Sequence, residues 1–330
     1  MKLYIIGNGF DISHGLPCRY SDFYKYLEAN RPDVLEIMGK YYFTGQNSEL
    51  WSDFERSLEE DIDYESFSTI ISENTPNFSS DNFRDRDWYD AQLNMERASK
   101  ELLDGIRSGF EEWIESLQTS EVGKKYNLDK EAYYLTFNYT ELLKEVYRIP
   151  FSNVLHIHNK VGEELIFGHG KDLTDFNVRE ALYGDKNAFL SYDEDGNINS
   201  SEAGHEKFSE EAVETFYSNM AKNTSEIIKD KSDFFTKLTE VDEVIILGHS
   251  YNEIDVPYFE KVAESSSQNA KWTLSYFSNG DCQKAEKLMK IINVRPKSYQ
   301  LLITSELILE DPQLKLFGND DTASDLDQAI

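Results

Sequence analysis

The chain has 330 residues, with 33 Lys or Arg and 62 Asp or Glu, so its formal net charge is −29. An average surface this acidic repels phosphate backbones and excludes general nucleic-acid binding as the expected function. The two cysteines, the lack of a signal-peptide pattern and the absence of an apolar run near the ~20 residues of a membrane span predict a cytoplasmic protein without membrane association.

Five short apolar runs predict strands. They cover residues 3–6, 133–137, 153–157, 243–247 and 272–277. Most are apolar throughout rather than alternating, which is typical of strands covered on both faces in a parallel sheet. Several end in a glycine or polar cluster before a helical pattern. This order predicts a doubly wound, mostly parallel α/β fold of Rossmann type, in which ligands bind at the carboxyl ends of the strands.

The predicted organisation is a single α/β domain over residues 1–317 with two insertions. Residues 22–125 follow a mainly helical pattern, whereas residues 171–207 are irregular before a helix. Residues 318–330 are polar and acidic, as in a flexible tail. The first strand is therefore far in sequence from the second.

The first predicted strand runs directly into the glycine-rich turn Gly7-Asn8-Gly9, ahead of a helix. Glycines let the backbone approach a ligand closely, and free amides at a helix start donate to anions. The pattern departs from the dinucleotide fingerprint, because Ile12 stands where a third glycine is expected. The turn is therefore a candidate phosphate site, and the alternative is a turn that simply needs two glycines.

Polar residues follow the next two predicted strands. On a strand, residues two apart share a face, so we expect His156 and His158 to point the same way. His156 lies deeper in the strand and is interpreted as a hydrogen-bonded core histidine, whereas His158 lies at the carboxyl end, where function is expected. Asn138 is either a helix N-cap or a group that holds a water or hydroxyl in place.

The fourth predicted strand ends in Gly248-His249-Ser250-Tyr251-Asn252. This segment matches the serine-hydrolase motif G-x-S-x-G except at its last position. An α/β-hydrolase places its catalytic histidine after the nucleophile, yet His249 is the last of the six histidines. A serine hydrolase is therefore not expected.

Two other functions stay open. A non-catalytic nucleotide sensor would bind a small ligand and change its association with a partner. A metal-dependent hydrolase or nuclease would need imidazole and carboxylate ligands, for which the candidates are His156, His158, His169, Asp11, Asp53 and Asp255.

Six segments occur in order along most of the chain: IGNGFDISHGLP with YSDF, LWSDFE, LTFNYTELL, HIHNK, IFGHG and LGHSYNEIDVPYF. With these segments the chain resembles the AbiH family of bacteriophage abortive-infection proteins. Asn159 stands where a glycine would be expected after the second histidine. The resemblance implies an intracellular anti-phage defence effector whose expected partners are a small nucleotide and a phage-derived trigger, with homo-oligomer formation left open.

The same order of segments is also similar to the sirtuin-like domains of bacterial defence systems, in which a glycine-rich turn binds NAD. This similarity implies Asn138 and His158 as the catalytic pair and NAD⁺ hydrolysis as the reaction, with NAD as substrate or ligand rather than as a resident cofactor. His158 would be the base, and Asn138 would orient the water or hydroxyl. The implied ligand-binding residues are Gly7, Asn8, Gly9, Phe10, Asp11, His14, Gly15, Pro17, Thr136, Gly248, Ser250 and Asp255.

Overall fold

A computed structural model describes residues 1–41, 89–119, 122–170 and 200–308, with the backbone alone over 200–209, and single positions at 54, 58, 69, 70, 73, 74, 84, 87 and 178. Within this part of the chain one open sheet contains six parallel strands. They are β1 Lys2–Ile6, β2 Tyr133–Thr136, β3 Val154–His156, β4 Glu243–Leu247, β5 Lys271–Tyr276 and β6 Tyr299–Ile303. The spatial order is β3-β2-β1-β4-β5-β6, which confirms the predicted doubly wound α/β fold.

All five predicted strands are present, with ends that differ by at most one residue from the predicted bounds. The sixth, β6, was not predicted. It lies at the edge of the sheet, and its residues are only partly buried or exposed, so its sequence does not form a continuous apolar run. The central strand β1 is instead almost fully buried, as its sequence indicates.

Helices connect the strands and cover both faces of the sheet. Alternate residues of β1 point to opposite faces, so Tyr4 and Ile6 contribute to one core and Leu3 and Ile5 to the other. The helices are α1 Asn8–Ser13, α2 Tyr20–Asn30, α3 Pro32–Tyr41, α4 Asp90–Glu115, α5 Leu142–Glu145, α6 Ser200–Met220, α7 Thr224–Asp230, α8 Ser232–Thr236, α9 Val256–Ser265, α10 Asn279–Ile291 and α11 Thr304–Leu307.

The core to which Tyr4 and Ile6 contribute also contains most of the described part of the predicted helical insertion. Helix α4 packs along α6 and contacts α2 and α3, and its apolar face includes Leu102, Ile106 and Phe110. Most of residues 42–88, residues 171–177 and 179–199 of the second insertion, and the predicted tail 318–330 lie outside the described residues. None of the described helices is long and apolar enough to span a bilayer.

The sheet register brings the loops of interest together. Ile6 is opposite Thr136 on β2 and opposite Leu247 on β4, so the carboxyl ends of these three strands lie level. Thr136 is in turn opposite His156 on β3. The residues that follow these four strands therefore meet at one edge of the sheet, and the strand order reverses direction between β1 and β4.

Candidate functional site

The loops after β1 and β4 are in direct backbone contact. The Gly7 amide donates to the Leu247 carbonyl at 3.0 Å, and the Gly9 amide donates to the Gly248 carbonyl at 2.8 Å. Gly248 has a φ of 65°, and a side chain there would collide with the backbone nitrogen of Phe10. The glycines of the turn therefore allow two loops to touch, and both amides are engaged by protein carbonyls.

Asp11 supplies a buried carboxylate between α1 and the segment after β2. Its Oδ1 accepts a hydrogen bond from Asn138 Nδ2 at 2.7 Å, and its Oδ2 accepts one from Thr140 Oγ1 at 2.5 Å. Burial raises the pKa of Asp11 to about 6, and the two hydrogen bonds oppose that rise. A carboxylate that accepts two side-chain hydrogen bonds fixes the orientation of both donors.

Asn138 is held by its backbone as well as by Asp11. Its amide nitrogen donates to Thr136 Oγ1 at 3.1 Å, and its carbonyl accepts from His156 Nδ1 at 3.0 Å. It is not a helix N-cap, because α5 begins after Glu141. Since Nδ2 faces Asp11, the side-chain oxygen Oδ1 is left buried and without a hydrogen-bond partner among the described residues.

His158 carries a second buried atom without a partner in the described structure, Nε2. The ring lies edge-on to Phe137, with centroids 5.4 Å apart, and close to Tyr258 at 5.6 Å. Burial, the Lys222 charge and then His249 hold the pKa of His158 well below its usual value, against a hydrogen bond with the Phe137 backbone. The ring is therefore neutral, and in the tautomer that donates from Nδ1 to the Phe137 carbonyl, Nε2 is a lone-pair acceptor.

The two histidines of the His-x-His pair have different surroundings. Strand β3 ends at His156, so the strict alternation expected of a longer strand does not reach His158. His156 is half-buried, and burial lowers its pKa. As expected, its ring forms a hydrogen bond with a backbone carbonyl. Asn159 follows with a φ of 62°, a left-handed conformation that favours Gly and tolerates Asn. Asparagine thus takes the place of the expected glycine.

A second group of buried polar side chains follows β4. Asp255 accepts a hydrogen bond from Lys222 Nζ at 3.3 Å through Oδ1, and its Oδ2 lies 3.5 Å from His249 Nε2. His249 Nδ1 accepts the Tyr251 amide hydrogen at 2.8 Å, so Nε2 carries the ring hydrogen. Burial lowers the pKa of His249 to about 4, with Asp255 opposing and Lys222 adding to that shift. The ring is neutral at pH 7.

Several predicted ligand residues have other contacts. His14 donates from Nδ1 to the Phe10 carbonyl at 2.7 Å and accepts at Nε2 from Tyr147 Oη, also at 2.7 Å. Both ring nitrogens are thus satisfied within the protein. Asn8 donates its side-chain amide to the Cys18 carbonyl at 2.7 Å. These two residues hold the loop after β1 in place.

Gly15 and Pro17 are exposed and line an open cavity of about 580 Å³, together with Tyr26 and Trp113. Ser250, the serine of the rejected hydrolase motif, is exposed as well. The structure therefore brings Asp11, Thr136, Asn138 and His158 to one edge of the sheet as buried or partly buried groups, whereas Gly15, Pro17 and Ser250 are on the surface.

Sequence reasoning did not identify two residues of this region. Thr140 lies two residues beyond Asn138 in the segment TFNYT, where the i, i+2 spacing of polar residues could have indicated a shared partner. Lys222 lies in a turn after α6, with no pattern around it that distinguishes it from a surface lysine. Its burial follows only from the packing of that turn against the β4 loop.

The metal-centre alternative gains no support from the geometry. Within the described ranges, no three His, Cys, Asp or Glu side chains are grouped so that they could hold a metal ion. His169 Nε2 instead lies 3.0 Å from the Tyr217 carbonyl oxygen, to which it donates. Asp53, another candidate ligand, lies outside the described residues.

Comparison with known proteins gives one match. The family model described as bacteriophage abortive infection AbiH matches residues 3–276, a range that includes every residue of the buried cluster and, except for Lys2, all of strands β1 to β5. No curated protein and no solved structure matches the chain. The match covers well over half of the 330 residues.

Proposed function

Because the chain belongs to the AbiH family of bacteriophage abortive-infection proteins, we propose that the cluster at the sheet edge hydrolyses NAD⁺ or a related nucleotide during defence against phage. The observation that carries this proposal is the pair of buried atoms Asn138 Oδ1 and His158 Nε2, for which the described part of the chain provides no hydrogen-bond partner. Thr136 and His156 are opposite each other on neighbouring strands, and Asn138 and His158 each follow one of them by two residues. Buried polar atoms of a folded protein are almost always hydrogen-bonded, so two such atoms favour a ligand site.

The chemistry of the two atoms favours a particular kind of ligand group. Both are hydrogen-bond acceptors, because Asn138 donates its NH₂ group to Asp11 and the neutral His158 ring donates from Nδ1 to the Phe137 backbone. Two acceptors at one sheet edge suit a group with O–H donors, such as a water molecule or the hydroxyls of a ribose. A phosphodiester, which has only acceptor oxygens, would be repelled by them and by the Asp11 carboxylate.

The proposed reaction uses these acceptors to direct water. Water attacks C1 of the nicotinamide ribose, the C–N bond breaks, and its electron pair leaves with nicotinamide, whose ring thereby loses its positive charge. The excess proton of the attacking water passes to His158 and then to solvent. The transition state resembles an oxocarbenium ion, so the leaving group needs no acid and a weak base that orients water suffices. Asn138 Oδ1 would hold the same water in line.

The position of the cluster also supports this proposal. It lies beyond the carboxyl ends of parallel strands, beside the point between β1 and β4 where the strand order reverses, which is where open α/β sheets bind ligands. Asp11 approaches it from α1, Asp255 from the segment after β4, and Lys222 from the turn between α6 and α7.

The test is nicotinamide release from NAD⁺ by the purified full-length chain, with and without EDTA. The variants are Asn138→Ala and His158→Ala, and Asn269→Ala, an exposed asparagine after α9, is the matched control. We expect release that EDTA does not affect, that both site variants lose and that the control keeps. Release that survives in either site variant overturns the proposal. So does the absence of release when the wild-type chain is assayed in extracts of phage-infected cells, where a trigger is present.

A further inference from the structure

Asn138 and His158 lie beyond the ends of their strands. Strand β2 ends at Thr136 and β3 ends at His156, so the ladder that aligns the two strands stops before either residue. A parallel ladder fixes the relative positions only of the residues that it joins. The position of the His158 side chain relative to that of Asn138 therefore depends on contacts between the two segments that follow the strands.

The segment after β3 closes on itself. The amide of Ile166 donates to the His158 carbonyl at 3.0 Å, and Asn159 Nδ2 donates to the Glu164 carbonyl at 2.8 Å. Residues 158–166 thus form a closed loop, which we call the His158 loop. Because the loop begins and ends at this backbone bond, a contact that holds Ile166 also holds the backbone of His158.

Tyr139, the residue after Asn138, binds the His158 loop at two points. Its carbonyl accepts the Val161 amide hydrogen at 2.9 Å, and its hydroxyl donates to the Ile166 carbonyl, also at 2.9 Å. The second bond reaches the residue whose own amide donates to His158. A chain of two hydrogen bonds therefore connects the Tyr139 side chain to the backbone of His158.

Two further contacts join the same segments. His156 Nδ1 donates to the Asn138 carbonyl at 3.0 Å, and Lys160 Nζ lies 2.8 Å from Glu141 Oε1 in an ion pair whose side chains are each only 17% exposed. Both contacts are at or near the start of the His158 loop, whereas the Tyr139 hydroxyl binds its far end. Together the contacts hold the loop at both ends.

We infer that Tyr139 is a positioning residue of the proposed site: its hydroxyl ties the end of the His158 loop to the segment that carries Asn138, and so fixes the position of Nε2 relative to Oδ1. The inference rests on the proposed function for its effect on the rate. Its effect on the loop is a property of the chain alone and is measured without a substrate.

The variant that tests this role removes the hydroxyl alone. Tyr139→Phe keeps the ring, which packs edge-on against Phe110 with centroids 5.3 Å apart. Tyr134→Phe is the matched control, because Tyr134 also donates its hydroxyl to a backbone carbonyl, that of Asp129 at 2.6 Å. Asp129 precedes β2, so the control removes the same kind of bond at the amino end of the strand.

The first measurement is amide hydrogen exchange, followed by NMR in the full-length chain labelled at isoleucine, with Ile166→Val and Ile157→Val to assign two amides. We expect the Ile166 amide to exchange about tenfold faster in Tyr139→Phe, because the loop opens more often without the hydroxyl, and at the wild-type rate in Tyr134→Phe. The Ile157 amide donates to the Thr136 carbonyl at 3.0 Å and reports on the sheet, so its rate should not change in either variant.

Two exchange results would overturn the inference. One is an unchanged rate at Ile166 in Tyr139→Phe. The other is exchange that becomes faster by the same factor at Ile166 and Ile157, because a general loss of stability affects both amides alike.

The second measurement is the rate of nicotinamide release by the same two variants. We expect Tyr139→Phe to lower kcat about tenfold and to leave KM unchanged, because the hydroxyl orients a reacting group rather than binding the substrate. Tyr134→Phe should keep both constants. A wild-type kcat in Tyr139→Phe overturns the positioning role even if Ile166 exchanges faster. If the wild-type chain releases no nicotinamide, the proposed function fails, and the exchange rates still decide whether Tyr139 holds the His158 loop.

Discussion

The Asp11 carboxylate accepts a 2.7 Å hydrogen bond from the side-chain amide of Asn138, which lies 127 residues further along the chain. An ionised carboxylate can only accept, so the amide must turn its NH₂ group towards Asp11 and its oxygen away. This one contact decides that Asn138 presents an acceptor rather than a donor to any ligand at this edge of the sheet. The orientation of Asn138 therefore depends on the charge of Asp11.

Replacing Asp11 with Asn removes that charge and should separate activity from stability. We expect Asp11→Asn to reduce nicotinamide release about 100-fold, because the Asn138 amide loses its fixed orientation. Because folding raises the pKa of Asp11 from 3.8 to about 6, the ionised carboxylate lowers the free energy of unfolding at pH 7 by roughly 3 kcal/mol relative to a protonated carboxyl. The neutral Asn side chain avoids this cost, so the melting temperature of Asp11→Asn should not fall. Calorimetry and rate assays on one preparation measure both. A less stable protein with wild-type rates would contradict this account.

The pH dependence of activity should follow the same carboxyl group. Since the pKa of Asp11 is raised to about 6, the rate should fall about tenfold for each pH unit below that value, as the acceptor for Asn138 and Thr140 is protonated. The effect on stability has the opposite sign. A folded-state pKa above the ordinary 3.8 means that the contribution of Asp11 to stability is full below pH 3.8 and is lost as the pH rises through about 6.

Rate profiles and melting curves at matched pH values test this dependence. In Asp11→Asn the residual rate should show no such acid limb, and the stability difference from wild type should shrink as the pH falls below about 6. An acid limb that persists unchanged in that variant assigns it to another group.

Replacing Asn138 with Asp should place two buried carboxylates against each other. Asn138→Asp exchanges the NH₂ donor that Asp11 accepts for an acceptor oxygen, so either the charges repel or one group is protonated. We expect a loss of about 3 kcal/mol of unfolding free energy at pH 7, and a smaller loss at about pH 5. Asn138→Ala adds no charge but removes one of the two donors to Asp11, so as the control it should lose stability with a weaker dependence on pH. Chemical unfolding at the two pH values decides.

Two glycines with left-handed backbones should respond very differently to alanine. Gly248→Ala would collide with the Phe10 nitrogen in the loop contact, so we expect a loss of more than ~4 kcal/mol or no folded protein. At Gly15, which has a φ of 88°, an added Cβ meets no atom of the described residues within 4 Å, so Gly15→Ala should cost only the backbone strain of about 1–2 kcal/mol. Thermal melts compare the pair. Equal losses would mean that the loop contact is not tight.

The sheet was predictable because burial leaves a local pattern in the sequence. Strands β1 and β4 are covered on both faces, so they are apolar without interruption after their first residues, Lys2 and Glu243. The same argument failed for β6, where an edge position leaves the residues partly exposed. Polar residues after strand ends also indicated the region of the site, since parallel strands bring their carboxyl ends to one edge.

The sequence by itself therefore determined the parallel α/β fold and the family, and it pointed to Asn138 and His158. Only the tertiary structure decided that the glycine turn contacts the β4 loop, that Asp11 orients Asn138, and that Lys222 is buried beside the site. The physical reason is the separation along the sequence of the groups that each interaction joins. Apolar periodicity is repeated within a few residues, whereas hydrogen bonds and desolvation depend on which groups, more than a hundred residues apart, the fold brings within 3 Å or so of each other.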